Sequence, residues 1–176
     1  MTQRFVEGSL TFAFPDHWRI CRPQETSFYR RHFQSFCSGC QEMDFQAYDP
    51  NQLVLWLIEV KDYRVFPRTN LKDLADQIAE KTRDLLAMMF IAGVRDNAVS
   101  VPGRLEARDF WNDARRATNI RVVLHCELPA SRSKLFPGIK DDANLQTKLD
   151  QKLRVVDPHP VFTNSLRAHV LPWTVV

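Results

Sequence analysis

The sequence predicts an α/β fold, a three-layer α/β/α sandwich with a central mixed sheet, and three observations lead to it. Residues 53–60, apart from Glu59, are apolar at consecutive positions, which is typical of a central strand covered on both faces. Apolar residues spaced three and four apart predict a long helix over about residues 70–93. A β-branched run at residues 119–128 predicts another buried strand. Strands and helices in this order form layered α/β domains.

Size and composition indicate an ordinary globular chain. Its 176 residues suit a single domain, residues 1–176, that can bury its own core. The hydrophobic share of 44% and the charged share of 26% exclude a disordered or fibrous chain. A net charge of +3 does not by itself indicate a polyanionic partner. No segment is apolar enough for a signal peptide or a membrane span, so we expect a cytoplasmic protein.

Arginines are spread along the chain, several of them in pairs. They either gather into a surface that faces phosphate groups or remain on solvated faces of the protein. The arginines in question are Arg19, Arg22, Arg30, Arg31, Arg64, Arg68, Arg115 and Arg116.

Weaker patterns predict the other elements. Each rests on apolar spacing, on turn-forming residues or on a capping residue. In chain order they are a strand at 9–14, a helix at 26–36, a hairpin that turns at 49–52, a helix at about 109–117, a helix at 141–154 and a final strand at 166–171.

Two charged residues, Glu59 and Lys61, interrupt the apolar strand. Burial of either charge without a partner costs several kcal/mol, so a partner or a function has to account for them. Side chains two residues apart in a strand share a face, which puts both on one side of the sheet. The alternative is a strand end that emerges into solvent, where the two form a surface ladder with the neighbouring strand.

Asp44 precedes the predicted turn and adds a second carboxylate. If the loop is formed by residues 50–51 or by residues 49–52, the residue numbers of each directly opposed pair in the hairpin add up to 101, a value we call the pairing sum. Asp44 then faces Leu57. Leu57 and Glu59 share a face, so Asp44 lies diagonal to Glu59, about 7–8 Å away by backbone. The spacing therefore predicts that the two carboxylates converge.

Two converging carboxylates suit Mg²⁺ or Mn²⁺, which take a few carboxylates together with water and substrate phosphate. The backbone carbonyl of Val60 is a further candidate ligand. The cation would polarise a scissile phosphate, and Lys61 would orient water or stabilise the developing charge. We therefore expect metal-dependent phosphodiester hydrolysis of nucleic acid, with DNA favoured over RNA.

Asp44, fourteen intervening residues and then Glu59-Val60-Lys61 before a long helix resemble the PD-(D/E)XK, or restriction-endonuclease-like, nuclease superfamily. The resemblance covers about residues 26–130, and Met43 stands where the motif has proline. It implies a restriction-endonuclease-like core and a place among the bacterial members of the superfamily. It also implies that Asp44 and Glu59 hold the metal and that Lys61 assists the nucleophile.

The resemblance implies further site residues as well. Several members place a glutamine on the helix after the motif strand, a position that Gln77 matches, with Lys81 one turn further along. Glu25 and Glu42 are outside candidates for an additional carboxylate. A homodimer is left open as the assembly.

Two other interpretations remain open at this point. The first is a catalytically silent member of the superfamily that binds nucleic acid or a protein, because fold does not guarantee activity. The second is a zinc or iron–sulfur site at Cys37 and Cys40, which only the scattered Cys21 and Cys126 would complete.

Overall fold

The protein is described by a computed structural model that covers residues 2–36, 39–64, 68–94, 104–129 and 142–176. Cys37, one half of the predicted cysteine site, lies outside these residues. The described strands, in chain order, are β1 (Thr2–Glu7), β2 (Leu10–Pro15), β3 (Arg19–Cys21), β4 (Phe45–Asp49), β5 (Val54–Asp62), β6 (Asn119–Glu127), β7 (Val161–Thr163) and β8 (Thr174–Val175).

The strands form two sheets. The larger one has the order β3-β4-β5-β6-β7, and the smaller one has the order β1-β2-β8. In the larger sheet, β4 pairs antiparallel with β3 and β5, whereas β6 runs parallel to β5 and β7. The α/β class and the mixed central sheet are therefore confirmed, with the apolar strand β5 at the centre.

Three helices pack on one face of the larger sheet: α1 (Leu74–Gly93), α2 (Arg104–Ala114) and α3 (Asp142–Leu153). The carboxylate of Asp73 caps α1 by accepting a hydrogen bond from the backbone N–H of Ala75 at 2.9 Å, so the helix begins after residue 73 instead of near 70. Among the described residues, no helix combines the length and apolar character that a membrane crossing requires.

The opposite face of the larger sheet carries the small sheet instead of helices. Phe12 and Phe14 of β2 belong to the same apolar cluster as Ile58 and Trp56 of β5, and the rings of Trp56 and Trp173 meet nearly at right angles at 5.2 Å. The layers of the described residues are thus helix, sheet and sheet, which corrects the predicted α/β/α arrangement. A strand that needs apolar cover on both faces does not specify which element supplies it.

Several local predictions need correction. The predicted strand at 166–171 is a 3₁₀ turn, Ala168–Val170. The predicted helix at 26–36 is present but shorter, because residues 27–33 are helical and Tyr29–Phe33 form a π-helix. The alternating strand β1 and the short edge strand β3 were not predicted. Short elements are decided by tertiary packing more than by local spacing, and this is where sequence patterns are least informative.

The β4–β5 hairpin sets the geometry of the candidate site. Asp49 pairs with Val54 and Phe45 with Ile58, so paired positions sum to 103 instead of the predicted 101. The carboxylate of Asp49 accepts hydrogen bonds from the backbone N–H groups of Asn51 and Gln52, which starts the turn after Asp49. Leu53 closes the four-residue loop in a left-handed conformation with φ of 54°.

Candidate functional site

Asp44 lies immediately before β4 and next to the centre of β5. The observed register, extended by one residue, places it opposite Glu59, closer than the predicted diagonal position. Its Oδ2 accepts a hydrogen bond from the backbone N–H of Val60 at 2.7 Å. The pairing sum is still odd, so Asp44 is opposed to a residue of the Glu59 and Lys61 face of β5. The two carboxylates therefore share a face of the sheet, as expected.

Glu59 is completely buried, and two lysines neutralise it. Lys61, two residues along the same strand, forms an ion pair with Oε1 of Glu59. Lys81 reaches the same oxygen from α1, with its Nζ at 2.6 Å. The lysine side chains are only partly exposed, at 27% for Lys61 and 16% for Lys81, so little solvent screens these pairs. The surface-ladder alternative for Glu59 is therefore wrong.

Gln77 does not join this cluster, although the resemblance implied it. Its side-chain amide donates to the backbone carbonyl of Lys72 at 2.8 Å, near the start of α1. Lys81, one helical turn further on, lies where Gln77 was expected. The signal in the sequence was the buried Glu59, because a fully buried carboxylate needs nearby cations and Lys81 is on the helix that covers β5.

The two carboxylates influence each other electrostatically. Burial, with a further contribution from the negative charge of Glu59, raises the pKa of Asp44 to about 7. Burial by itself lowers the pKa of Lys61, but the carboxylate of Glu59 outweighs burial and leaves that pKa raised.

A divalent cation of the magnesium type at this site stays a prediction. Oε2 of Glu59 is buried and has no hydrogen-bond partner, so one carboxylate oxygen remains available. Mg²⁺ requires only one or two carboxylates besides water and phosphate oxygens. No group of three or more acidic, histidine or cysteine side chains suited to a metal occurs in the described parts of the chain. The carbonyl of Val60 as a ligand stays a prediction.

The other candidate ligands are engaged elsewhere. Glu25 forms an ion pair with Arg22 at 2.7 Å, and Glu42 accepts a hydrogen bond from the hydroxyl of Tyr29. Cys40 lies among the described residues, and its thiol donates to a backbone carbonyl at 3.4 Å. None of these contacts brings an additional ligand to Asp44 and Glu59.

Part of the arginine set stabilises the fold. Arg19 pairs with Asp113 of α2 at 3.1 Å, and Arg64 pairs with Asp62 at 2.7 Å. Arg22 is held by two carboxylates. These arginines have structural partners, so a phosphate-facing surface would have to come from the others.

Comparison with known proteins finds one similarity. The chain is 29% identical to a cysteine–tRNA ligase of Neisseria meningitidis serogroup A, over 97% of this chain and 29% of that protein. The chain therefore spans less than a third of the length of this relative. No family model matches the chain, and no solved structure matches it.

The comparison corrects the functional prediction. The similarity covers nearly the whole chain, and the protein it reaches is a ligase that acts on tRNA, not a nuclease or another hydrolase. Metal-dependent phosphodiester hydrolysis, the function expected from Asp44, Glu59 and Lys61, is thus contradicted. The relative is an enzyme, but of a different class. The PD-(D/E)XK resemblance itself stays a prediction.

Proposed function

We propose that this chain is a tRNA-binding unit of the kind that accompanies tRNA ligation. The observation that carries the proposal is the similarity of 97% of the chain to part of a cysteine–tRNA ligase. Because that part is less than a third of the ligase, we assign to the chain only part of the ligase's function, namely binding and orienting tRNA. The nucleic-acid partner expected from the sequence is thus proposed to be RNA instead of DNA.

The cluster around Glu59 supplies a contact to the RNA backbone in this proposal. Asp44 and the unpartnered Oε2 of Glu59 would hold Mg²⁺ or Mn²⁺, and a bound cation would supply positive charge for an RNA phosphate. Lys61 and Lys81 offset the charge of Glu59, which reduces the cost of burying this site under RNA.

Fluorescence anisotropy with labelled nucleic acids tests the proposal directly. The purified chain is titrated with a cysteine tRNA transcript, a single-stranded RNA of equal length and a DNA duplex with the same number of phosphates. We expect tRNA to bind at least about tenfold more tightly than the DNA duplex at the same salt concentration, or about 1.4 kcal/mol. Equal salt is required because phosphate contacts make affinity fall steeply with ionic strength.

A matched pair of variants separates the site from general electrostatics. Asp44→Asn removes one proposed cation ligand, whereas Asp76→Asn removes an exposed carboxylate of α1 that pairs with Lys152. We expect only Asp44→Asn to abolish the part of tRNA binding that depends on Mg²⁺. If tRNA binds no better than duplex DNA, the proposed function is wrong. If tRNA preference persists while Mg²⁺ has no effect, only the cation contact is wrong.

Activity and location follow from the same proposal. Transfer of labelled cysteine to tRNA, measured with the chain alone and with a complete cysteine–tRNA ligase added, shows whether the chain catalyses or assists ligation. We expect assistance without independent catalysis, because the chain corresponds to 29% of the relative. A location in the cytoplasm, where tRNA is charged, belongs to this proposal, and a homodimer remains a separate prediction.

A further inference from the structure

A cavity of about 440 Å³ lies between the end of α1 and one flank of α2, and none of the residues discussed for the Glu59 cluster lines it. Its described lining consists of Gly93 on α1 and of Arg108, Asn112 and Arg115 on α2. The volume is within the range of about 300–1,000 Å³ that small-molecule sites occupy. Two arginines and an amide make it rich in hydrogen-bond donors.

The three side chains of α2 are aligned by helix geometry. Positions 108, 112 and 115 follow the spacing of four and three residues that forms one stripe along a helix. The neighbouring stripe carries Phe110 and Trp111, which are buried in the core. The donors are therefore held on the flank of a helix that is anchored by its apolar face.

The described residues leave most of these donors without an acceptor. Nε of Arg108 is buried and has no hydrogen-bond partner, and the nearest ion pair of this residue, with Asp109, is long at 3.9 Å. Within the described parts of the chain, no ion pair or side-chain hydrogen bond involves Arg115 or Asn112. A buried donor without a partner costs about 1–3 kcal/mol, so such a group in a cavity indicates a missing acceptor.

Neither Asp109 nor Asp113 of α2 lines the cavity. Asp113 is turned toward β3, where it pairs with Arg19 at 3.1 Å, and Asp109 is largely exposed. No carboxylate occurs among the described residues that line the cavity. The described lining of the cavity is therefore positively charged.

We infer that this cavity binds the phosphate group of a nucleotide, either free or within RNA. Guanidinium groups form paired, charge-assisted hydrogen bonds with phosphate oxygens. A phosphate monoester, as in a free nucleotide or at the end of an RNA strand, carries a charge of about −1.5 to −2 at neutral pH, which matches two arginines better than a single carboxylate does. The cavity also has room for the attached nucleoside. This inference goes beyond the proposed function and does not require that tRNA binds.

NMR of the arginine Nε–H groups, together with titration calorimetry, tests the inference. The ligands are adenosine 5′-monophosphate, inorganic phosphate, adenosine and a short RNA oligonucleotide. We expect the monophosphate to shift the Arg108 signal, and adenosine to leave it unchanged. Competition by the oligonucleotide assigns the phosphate to RNA, whereas binding of the monophosphate without competition assigns it to a free nucleotide.

Three variants make the test specific. Arg108→Gln and Arg115→Gln keep good helix formers on α2, and each should weaken monophosphate binding about tenfold or more. Arg116→Gln changes the adjacent arginine, which does not line the cavity, and should leave binding unchanged. Arg115 is exposed, so its replacement tests the site even if Arg108→Gln fails to fold. Equal binding of adenosine, equal weakening by Arg116→Gln, or no binding of either phosphate would overturn the inference.

Discussion

Replacement of Lys81 by methionine should destabilise the protein far more than replacement of an exposed lysine. Lys81 lies 2.6 Å from Oε1 of Glu59, which has no solvent exposure. Removing one partner from a buried ion pair typically costs about 3–5 kcal/mol. Because Lys61 still neutralises Glu59, we expect Lys81→Met to lower the free energy of unfolding by about 2 kcal/mol, below that range.

Urea unfolding followed by far-UV circular dichroism measures this change, with an unchanged m value as the sign that only stability has altered. Lys148→Met is the matched control, because Lys148 pairs with Asp73 at 2.5 Å while both side chains are exposed by a third or more. Exposed pairs contribute about 0–1 kcal/mol. If the two variants differ by less than about 0.5 kcal/mol, Lys81 does not support the buried charge of Glu59.

Magnesium extends the same experiment to the proposed cation site. A ligand that binds only the folded state stabilises it by an amount that grows with its concentration relative to Kd. Loss of Lys81 leaves Glu59 with less positive charge, so Mg²⁺ should raise the unfolding midpoint of Lys81→Met more than that of the wild type. No gain should occur in Glu59→Gln. Equal gains in all three proteins would refute a cation site at Glu59.

Three further predictions concern the rest of the fold. Burial lowers the pKa of His125, although Glu127 accepts a hydrogen bond from its ring. The folded state therefore resists protonation of His125, and stability is lost as pH falls below about 6.5. His125→Gln should flatten this loss in unfolding curves measured between about pH 7 and 5. Trp111→Phe leaves Oε1 of buried Gln46 without its hydrogen-bond donor and should lower the free energy of unfolding by about 1–3 kcal/mol. Adding Gln46→Leu to this variant should recover part of the lost stability. No recovery in the double variant would contradict this prediction. The Leu53→Val variant should be about 1–2 kcal/mol less stable than Leu53→Met, because a β-branched residue is poorly tolerated at the positive φ of this position. Equal stabilities of the two variants would show that the loop relaxes.

Much of the candidate site was predictable because β-strand geometry is periodic. Glu59 and Lys61 had to share a face once β5 was identified, and any odd pairing sum brought Asp44 to that face. The sum itself shifted from 101 to 103 without changing the face. The shift comes from the turn at Asp49, whose side chain accepts two backbone hydrogen bonds.

Other features could not be read from local patterns. Gln77 and Lys81 lie one turn apart on α1, and only the packing of that helix on β5 selects Lys81 as the partner of Glu59. The cover on the second face of the sheet was equally undetermined, since Trp56 requires apolar neighbours but accepts them from a strand or a helix.

The sequence by itself determined the class of fold, the central strand and the common face of Asp44, Glu59 and Lys61, because these depend on the repeat of the backbone and on burial. Only the tertiary structure decided the second lysine, the sheet-on-sheet layer and the donor-lined cavity beside Arg108. Each of these joins residues that are distant in sequence, and their contacts depend on how whole elements pack against one another.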